Sequence, residues 1–210
     1  MEKKKRLLTP EERRQRNHDE MVANILEAAR EVMREQGVAD LNLQEIARRV
    51  GMRAPSLYNY FSNRNAIYDA LFTLGMQMYQ AHLAQLLAQY GTTWEGIERI
   101  IEGYLTYALE NPELYQLLFE RPIPGYEPSA DALAESRNLL TIAHEMVATA
   151  MATGTIQTTQ SAEVVTNMII VIMHGIAAQH LANEPHLPVG TGRFGSLVPI
   201  AVDILKKAWS

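Results

Sequence analysis

The sequence predicts an all-α protein of about nine helices. Apolar residues recur at intervals of three and four positions in almost every segment longer than a dozen residues, which is the period of an amphipathic helix. No segment alternates apolar and polar residues at the period of two that half-buried strands require. The chain has 210 residues, is 47% hydrophobic and contains no cysteine. It is therefore long enough to bury a substantial core, and disulfide frameworks, zinc-thiolate sites and cysteine nucleophiles are excluded.

Three helices are predicted in the N-terminal third of the chain. The apolar stripe of residues 19–36 ends before Gly37, where a glycine cap would stop the first helix. Asn42 and Glu45 have the spacing of a capping box at the start of the second helix. A glycine-containing turn then leads into a third helix over about residues 54–61. Two short helices joined by such a turn fit a helix-turn-helix, whose second helix enters the major groove in proteins that bind DNA.

Six further helices are predicted in the rest of the chain, each bounded by a capping residue, a glycine or a proline. The eighth contains the most apolar stretch, residues 164–182, which is about long enough to cross a bilayer. Polar residues interrupt this stretch on several faces, so we expect a buried helix and no membrane partner. The predicted ranges are about 63–89, 92–110, 112–119, 129–153, 161–183 and 196–209.

Charge is unevenly distributed along the chain. Residues 1–64 carry 13 basic and 10 acidic side chains, whereas the remaining 146 residues carry 6 and 14, so a net +3 is followed by a net −8. A basic first third favours a polyanionic partner, and an acidic remainder favours a different one. The basic start of the chain is followed by only two leucines before Thr9 and Pro10. No secretory signal is recognised there, and we expect a cytoplasmic protein.

The outward face of the third predicted helix has the chemistry of a groove-reading surface. Successive residues turn by about 100°, which places polar side chains on one face and apolar side chains on the other. On the polar face, an asparagine can pair with adenine, a serine can donate or accept, and a proline can touch a thymine methyl. Tyrosine hydroxyls and flanking arginines can reach phosphates, although a polar surface helix in an ordinary bundle would show the same spacing. The residues expected to bind DNA are Gln44, Arg53, Ala54, Pro55, Ser56, Tyr58, Asn59, Tyr60 and Arg64.

Residues 25–71 closely resemble the N-terminal DNA-binding domain of the TetR/AcrR family of transcriptional regulators. The resemblance lies in the segments IARRVGM at 46–52, SLYNYF at 56–61 and NRNAIYDAL at 63–71. Arg53 departs from the family pattern, since many members have Ser or Thr capping this helix. A weaker likeness, to the regulatory domain of a subgroup with a Trp-His-Gly-type signature, covers residues 104–120 and 169–177. The resemblance implies a regulator, most often a repressor, whose operator contacts include Gln44, Pro55, Ser56, Tyr58, Tyr60 and Arg64.

Two further tasks are expected of the acidic remainder. One recognition helix makes too few contacts for specificity, so such proteins bind palindromic operators as homodimers. The eighth and ninth helices are the expected interface, because residues 169–173 are apolar all round, although a central core helix would look the same. Aromatic rings, thioethers and a few polar tips suit a pocket for a small-molecule effector, and equally an ordinary core. The expected ligand-binding residues are Tyr79, Tyr104, Tyr107, Tyr115, Phe119, Met146, Met168, Met173 and His174.

These interpretations divide the chain into three parts: a flexible basic arm over 1–18, a helix-turn-helix domain over 19–65, and a ligand-binding and dimerisation domain over 66–210. The arm, with Lys3 to Arg6 at its start, either lies along phosphates or is a solvated tail. No metal, cofactor or catalytic group is expected, because no ligand set or nucleophile-base grouping is found. The alternatives are a helical small-molecule-binding protein or enzyme without DNA binding, and a protein-interaction module.

Overall fold

The computed structural model describes residues 8–210, which form ten α-helices and no strand. The predicted all-α class is therefore confirmed. The helix predicted ninth is α10, because a single extra turn, α9, forms in the loop before it. The helices are α1 (Pro10–Gln36), α2 (Leu43–Arg49), α3 (Ala54–Leu57), α4 (Arg64–Tyr90), α5 (Trp94–Glu110), α6 (Pro112–Phe119), α7 (Ala130–Ala152), α8 (Ala162–Asn183), α9 (Gly192–Gly195) and α10 (Val198–Ala208).

The first helix starts earlier than the sequence pattern predicted. The Thr9 side chain accepts a hydrogen bond from the Glu12 backbone N–H at 3.1 Å, and the Glu12 carboxylate accepts one from the Thr9 backbone N–H at 2.7 Å. Pro10 has no backbone N–H, but an N–H in the first turn would have no helical carbonyl to bond to. The proline therefore costs α1 no hydrogen bond. The expected flexible arm over 1–18 is thus wrong for residues 10–18, which are helical. Lys3 to Arg6 lie outside the described residues.

The third helix is shorter than predicted. Regular α-helix covers only Ala54–Leu57. The backbone N–H groups of Tyr58, Asn59 and Tyr60 then bond to carbonyls three residues earlier, which is the tighter 3₁₀ pattern common at helix ends. The chain therefore stays coiled as far as Tyr60, although the predicted eight-residue α-helix is not formed.

A compact core joins the N-terminal helices to the start of α4. Ile25 of α1, Ile46 of α2, Leu57 of α3 and Ile67 of α4 are all at most 2% exposed. The hydroxyl of Tyr68, which is fully buried in α4, donates to the carbonyl of Val38 in the 3₁₀ turn after α1 at 2.7 Å. This core fixes the position of α3 relative to α4, so any shift of the first turns of α4 moves the third helix with it.

The C-terminal helices pack as a bundle around α4 and α5. The Tyr107 hydroxyl of α5 donates to the carbonyl of Gly75 in α4 at 2.9 Å. A Cβ at Gly75 would lie only 3.2 Å from that hydroxyl and 3.0 Å from a Leu118 methyl of α6, so both neighbouring helices pack closely on α4 because Gly75 has no side chain. Helices α8 and α10 both pack against α5, and α7 packs against α4 and α8.

Helix α8 is buried on one side only. Val165, Ile169 and Met173 face the bundle, whereas Val164 and Val171 are 46% and 66% exposed. Among residues 8–210, α8 is the one helix long and apolar enough to cross a membrane, with a mean hydropathy of 1.5 over its most apolar window. Its inner face packs in the bundle core as predicted, but its outer face is exposed to solvent, so the predicted burial holds for one side of the helix.

A buried polar cluster joins α1 to the start of α6. The Arg30 guanidinium donates to the Glu113 carboxylate and to the Asn111 side-chain carbonyl, both at 2.8 Å. Arg34 donates to the same Glu113 oxygen at 3.0 Å. The Glu113 side chain is only 1% exposed, and a buried charge of this kind is stable only when it is paired. Sequence patterns gave no sign of this link between the two parts of the chain.

Candidate nucleic-acid interface and ligand cavity

The residues around α3 present a polar surface to solvent. Arg53, Pro55, Tyr58 and Asn59 are exposed, with Tyr58 at 58%, while Leu57 is buried beneath them. Ala54, Ser56 and Tyr60 are half-buried at the edges of this surface. The side chains predicted to read DNA therefore point away from the protein core.

Three of the predicted residues meet around one surface depression. Gln44 at the start of α2, Tyr58 after α3 and Arg64 at the start of α4 all line it, together with the helix-capping residues Asn42 and Asn63. The Asn42 side chain accepts hydrogen bonds from Gln44 and Glu45 backbone N–H groups, and Asn63 caps α4 in the same way. Two helix N-termini thus lie beside the depression, and each favours a bound anion such as a phosphate.

The basic side chains near this surface differ in their pairing. Arg48 and Arg49 both donate to Glu45, and Arg49 also pairs with acids of α1. These hydrogen bonds, from Arg48 first and then Arg49, lower the pKa of Glu45 to about 2. Arg53 and Arg64 form no ion pair with any residue in 8–210. The positive charge left for an anionic partner is therefore that of Arg53 and Arg64.

Tyr60 connects α1 to the candidate interface. Its ring stacks on the imidazole of His18, with centroids 5.1 Å apart and an interplanar angle of 22°. His18 lies in the part of α1 that the sequence pattern had assigned to the flexible arm. The contact therefore holds the first turns of α1, with their arginines, beside the third helix.

A cavity of about 200 Å³ lies between α4, α5, α7 and α8. The predicted ligand-binding residues Tyr79, Tyr104, Phe119, Met146, Met173 and His174 lie in its wall. The other lining residues are Met76 and Leu83 of α4, Ile100 of α5, Ser136, Leu139, Leu140, Ala143 and Val147 of α7, and Thr166, Ile169 and Ile170 of α8.

Three predicted ligand-binding residues do not line the cavity. Tyr107 is buried behind it, where its hydroxyl is bonded to Gly75 and its ring packs on Tyr79 with centroids 5.3 Å apart. Tyr115 packs behind Tyr104 at 6.1 Å. Met168 is 46% exposed on the outer face of α8, because Thr166, Ile169 and Met173 take the inner face. The sequence indicates a cluster of aromatic residues, but it does not indicate which of these residues face the cavity and which pack behind them.

One polar pair stands out in the cavity wall. The Tyr104 hydroxyl lies 2.9 Å from Nδ1 and 3.3 Å from Nε2 of His174, and Phe119 packs against both rings. Burial lowers the pKa of His174 below its ordinary value and raises the pKa of Tyr104 and of Tyr79. All three side chains are therefore uncharged at neutral pH.

Most of the cavity wall was missed because its residues carry the ordinary pattern of a helical core. On α7, for example, Leu139, Ala143 and Val147 lie four positions apart, which is the usual spacing of a core-facing stripe. Only the space left between α7 and α8 distinguishes these residues from the rest of the core, and no sequence pattern reports such a space.

The chain matches two family profiles. Residues 25–71 match that of bacterial regulatory proteins of the tetR family, and residues 97–194 match that of the tetracyclin repressor-like C-terminal domain. Together the two matches cover more than half of the chain. This chain belongs to the TetR family. The TetR profile over 25–71 covers α2, α3 and the turn between them, so the predicted helix-turn-helix is confirmed.

Among relatives of known sequence, the HTH-type transcriptional regulator Rv1816 of Mycobacterium tuberculosis is 29% identical over 151 residues, a match covering 67% of this chain and 62% of that protein. The matched part is thus less than two thirds of that relative's length. That relative is named as a transcriptional regulator, which agrees with the prediction that this TetR-family chain is a regulator and not an enzyme.

Two solved structures share the fold over nearly the whole chain. A protein of unknown function from Rhodococcus sp. RHA1 has a TM-score of 0.75 and 22% identity, covering 90% of this chain and 95% of its own. The regulator FadR of Bacillus subtilis, solved with stearoyl-CoA, has a TM-score of 0.73 and 17% identity, covering 90% and 99%. At these identities the two structures show that this chain shares the TetR fold, and they do not identify a ligand for it.

Proposed function

We propose that this TetR-family protein is a homodimeric DNA-binding transcriptional regulator that represses from a palindromic operator and is released by a small-molecule effector. The single observation that carries the proposal is the exposed surface around α3, where Pro55, Tyr58 and Asn59 lie between the unpaired cations Arg53 and Arg64. An enzyme or carrier has no reason to keep this surface polar and basic in an otherwise acidic chain.

The proposed DNA contacts divide into two groups. Asn59 and Ser56 would read base edges in the major groove, with Pro55 and Ala54 against thymine methyl groups. Tyr58, Tyr60, Arg53, Arg64 and Gln44 would hold the phosphate backbone. The depression shared by Gln44, Tyr58 and Arg64 lies beside two helix N-termini, which supports a phosphate at that position.

The proposed dimer forms through the outer faces of α8 and α10. On α8, Val164, Met168 and Val171 are exposed at intervals of four and three residues, and on α10 Ile200 and Ile204 are 55% and 61% exposed. Both helices pack against α5, and exposed aliphatic stripes of this kind are characteristic of a surface that a partner covers. A twofold mate placed there would present two copies of α3 to successive turns of a DNA duplex.

Helix α4 offers the route by which an effector would act on DNA binding. Arg64 begins α4 at the DNA surface, and Met76, Tyr79 and Leu83 of the same helix line the cavity. The fifteen residues between Arg64 and Tyr79 span about 22 Å at the helical rise. A ligand that favours one position of α4 would select the conformer whose two recognition helices no longer match the operator spacing.

The cavity supports the effector part of this proposal. It is a cleft between helices that opens partly to solvent, and it has an apolar wall with a few polar groups, which is the usual character of a small-molecule site. Its counterpart in fold, FadR of Bacillus subtilis, was solved with stearoyl-CoA. We propose that this cavity is the effector site.

A gel-shift titration against the DNA immediately upstream of the chain's own gene tests the proposal. We expect a retarded complex that resists excess random duplex, together with lower transcription from that promoter when the protein is added in vitro. Higher transcription would contradict repression while leaving DNA binding in place. Equal binding to upstream and random duplexes would favour the carrier, enzyme or protein-interaction alternatives.

A further inference from the structure

We infer that the part of the effector that the cavity buries is uncharged and mainly apolar, has roughly eight to ten heavy atoms, and carries a hydrogen-bond acceptor oxygen, such as that of a ketone, ester or lactone. This inference rests on the proposed function of the cavity as an effector site. It goes beyond that proposal because it specifies the size, the charge and the hydrogen-bonding group of the ligand.

The size of the cavity limits the ligand. An apolar protein cavity of about 150 Å³ binds benzene, and the cavity described here measures about 200 Å³. It therefore has room for a slightly larger group. The cavity opens to solvent beside Leu140, which is 42% exposed, so this limit applies to the part of the ligand that lies inside the cavity.

The wall of the cavity excludes charged groups. Among the residues that the structure describes, no Asp, Glu, Lys or Arg lines it. Transfer of an unpaired carboxylate or ammonium from water into such a site costs several kcal/mol, which is comparable to the whole binding free energy of a small ligand. A ligand enters this space only if the part that it buries there is neutral.

Three polar aromatic side chains of the wall, Tyr79, Tyr104 and His174, can act as hydrogen-bond donors. Tyr104 carries one hydroxyl hydrogen and the neutral His174 ring carries one N–H. The bond between the two side chains uses one of these hydrogens, so the other remains to be donated whichever tautomer is present. The Tyr79 hydroxyl donates only to the sulfur of Met173, at 3.8 Å, and a thioether is a weak acceptor. Donors without nearby strong acceptors favour an oxygen that accepts hydrogen bonds.

Calorimetric titration of the full chain with three probes of similar size tests the inference. The probes are octan-2-one, which is neutral with an acceptor oxygen, heptanoate, which is an anion, and octylamine, which is a cation at neutral pH. We expect octan-2-one to bind at least ten-fold more tightly than either charged probe. Tighter binding of heptanoate or octylamine would overturn the inference.

The substitution Tyr104→Phe tests the role of the polar pair. It removes the hydroxyl and keeps the ring, and we expect octan-2-one to bind about five-fold to ten-fold more weakly, as for loss of one hydrogen bond. The matched control is Tyr90→Phe, at the exposed end of α4 and outside the cavity wall, for which we expect no change. Equal affinity of the wild type and Tyr104→Phe would contradict donation of a hydrogen bond to the ligand by the Tyr104 hydroxyl.

These titrations use protein without DNA, so they are separate from the test of regulation. If octan-2-one binds in the expected order and leaves the DNA complex intact, the ligand chemistry stands and release by an effector fails. If the three probes bind equally or not at all while the protein retains operator binding, the ligand chemistry fails and the DNA-binding proposal stands.

Discussion

At the residue scale, Asn59 is the side chain that we propose contributes most to discrimination between DNA sequences. It is exposed on the surface around α3, and its side-chain amide can form two hydrogen bonds with adenine. We expect Asn59→Ala to cost roughly 1–3 kcal/mol of operator binding and to leave binding to random duplex unchanged. Fluorescence anisotropy with both duplexes measures this difference. Asn183→Ala, at the exposed end of α8, is the control, and equal losses on both duplexes would show that Asn59 reads no base.

Arg64 and Arg48 make a matched pair for measuring phosphate contacts. Both are exposed arginines near the candidate interface, but Arg48 is paired with Glu45 at 2.7 Å, and Arg64 pairs with no acid in 8–210. We expect Arg64→Gln to lower the slope of log K against log salt by about one per protomer. Arg53→Gln is expected to do the same, and Arg48→Gln to leave the slope unchanged. A slope unaltered by Arg64→Gln would remove this residue from the contact surface.

At the element scale, the helix boundaries are predicted correctly where a cap coincides with the start of the apolar stripe and are misplaced where the two differ. Asn63 caps α4 as predicted, because the cap is a local feature. The start of α1 was placed at residue 19 because the apolar stripe begins there, whereas the helix extends back to Pro10 through its capping box. The cavity and the Arg30–Glu113 pair join residues far apart in sequence, so no local pattern contains them. A single sequence read for periodicity thus predicts the helices and the outward face of α3, but only part of the cavity wall.

The first turns of α1 give a prediction for the N-terminal arginines. Arg14 lies four residues before His18 and therefore on the same helix face, which packs against Tyr60. Arg16 lies about 200° away around the helix and pairs with Glu20 at 3.4 Å. We expect Arg14→Gln to lower the salt slope of operator binding by about one per protomer, and Arg16→Gln to leave it unchanged. Equal slopes for both variants and the wild type would indicate that this part of α1 makes no phosphate contact.

The polar cluster between α1 and α6 gives a prediction for stability. Glu113→Ala would leave the guanidinium of Arg30, whose side chain is 11% exposed, without its carboxylate. Removing one partner of a buried ion pair is strongly destabilising, and we expect a loss of about 3 kcal/mol in the free energy of unfolding. Urea unfolding at one fixed protein concentration measures it, with the exposed Glu110→Ala as control. A change no larger than that of Glu110→Ala would mean that the cluster contributes little to the joint between the two helices.

At the scale of the whole molecule, the proposed regulator binds its operator as a homodimer. We expect Val171→Glu, which places a charge on a side chain that is 66% exposed in the single chain, to convert the dimer to monomer, because a charge without a partner is costly at a desolvated interface. Analytical ultracentrifugation measures the change, and Ala84→Glu on the exposed side of α4 is the control. A variant that sediments as the wild type does would move the interface away from α8.

The most direct test of the whole account is an anisotropy titration of the wild-type chain on its own upstream DNA, with a shuffled duplex of the same composition in parallel. We predict saturation at two protomers per upstream site, at a protein concentration at least a thousand-fold below that needed for the shuffled duplex, as for specific operators in general. Equal affinity for the two duplexes, or saturation at one protomer, would contradict the account.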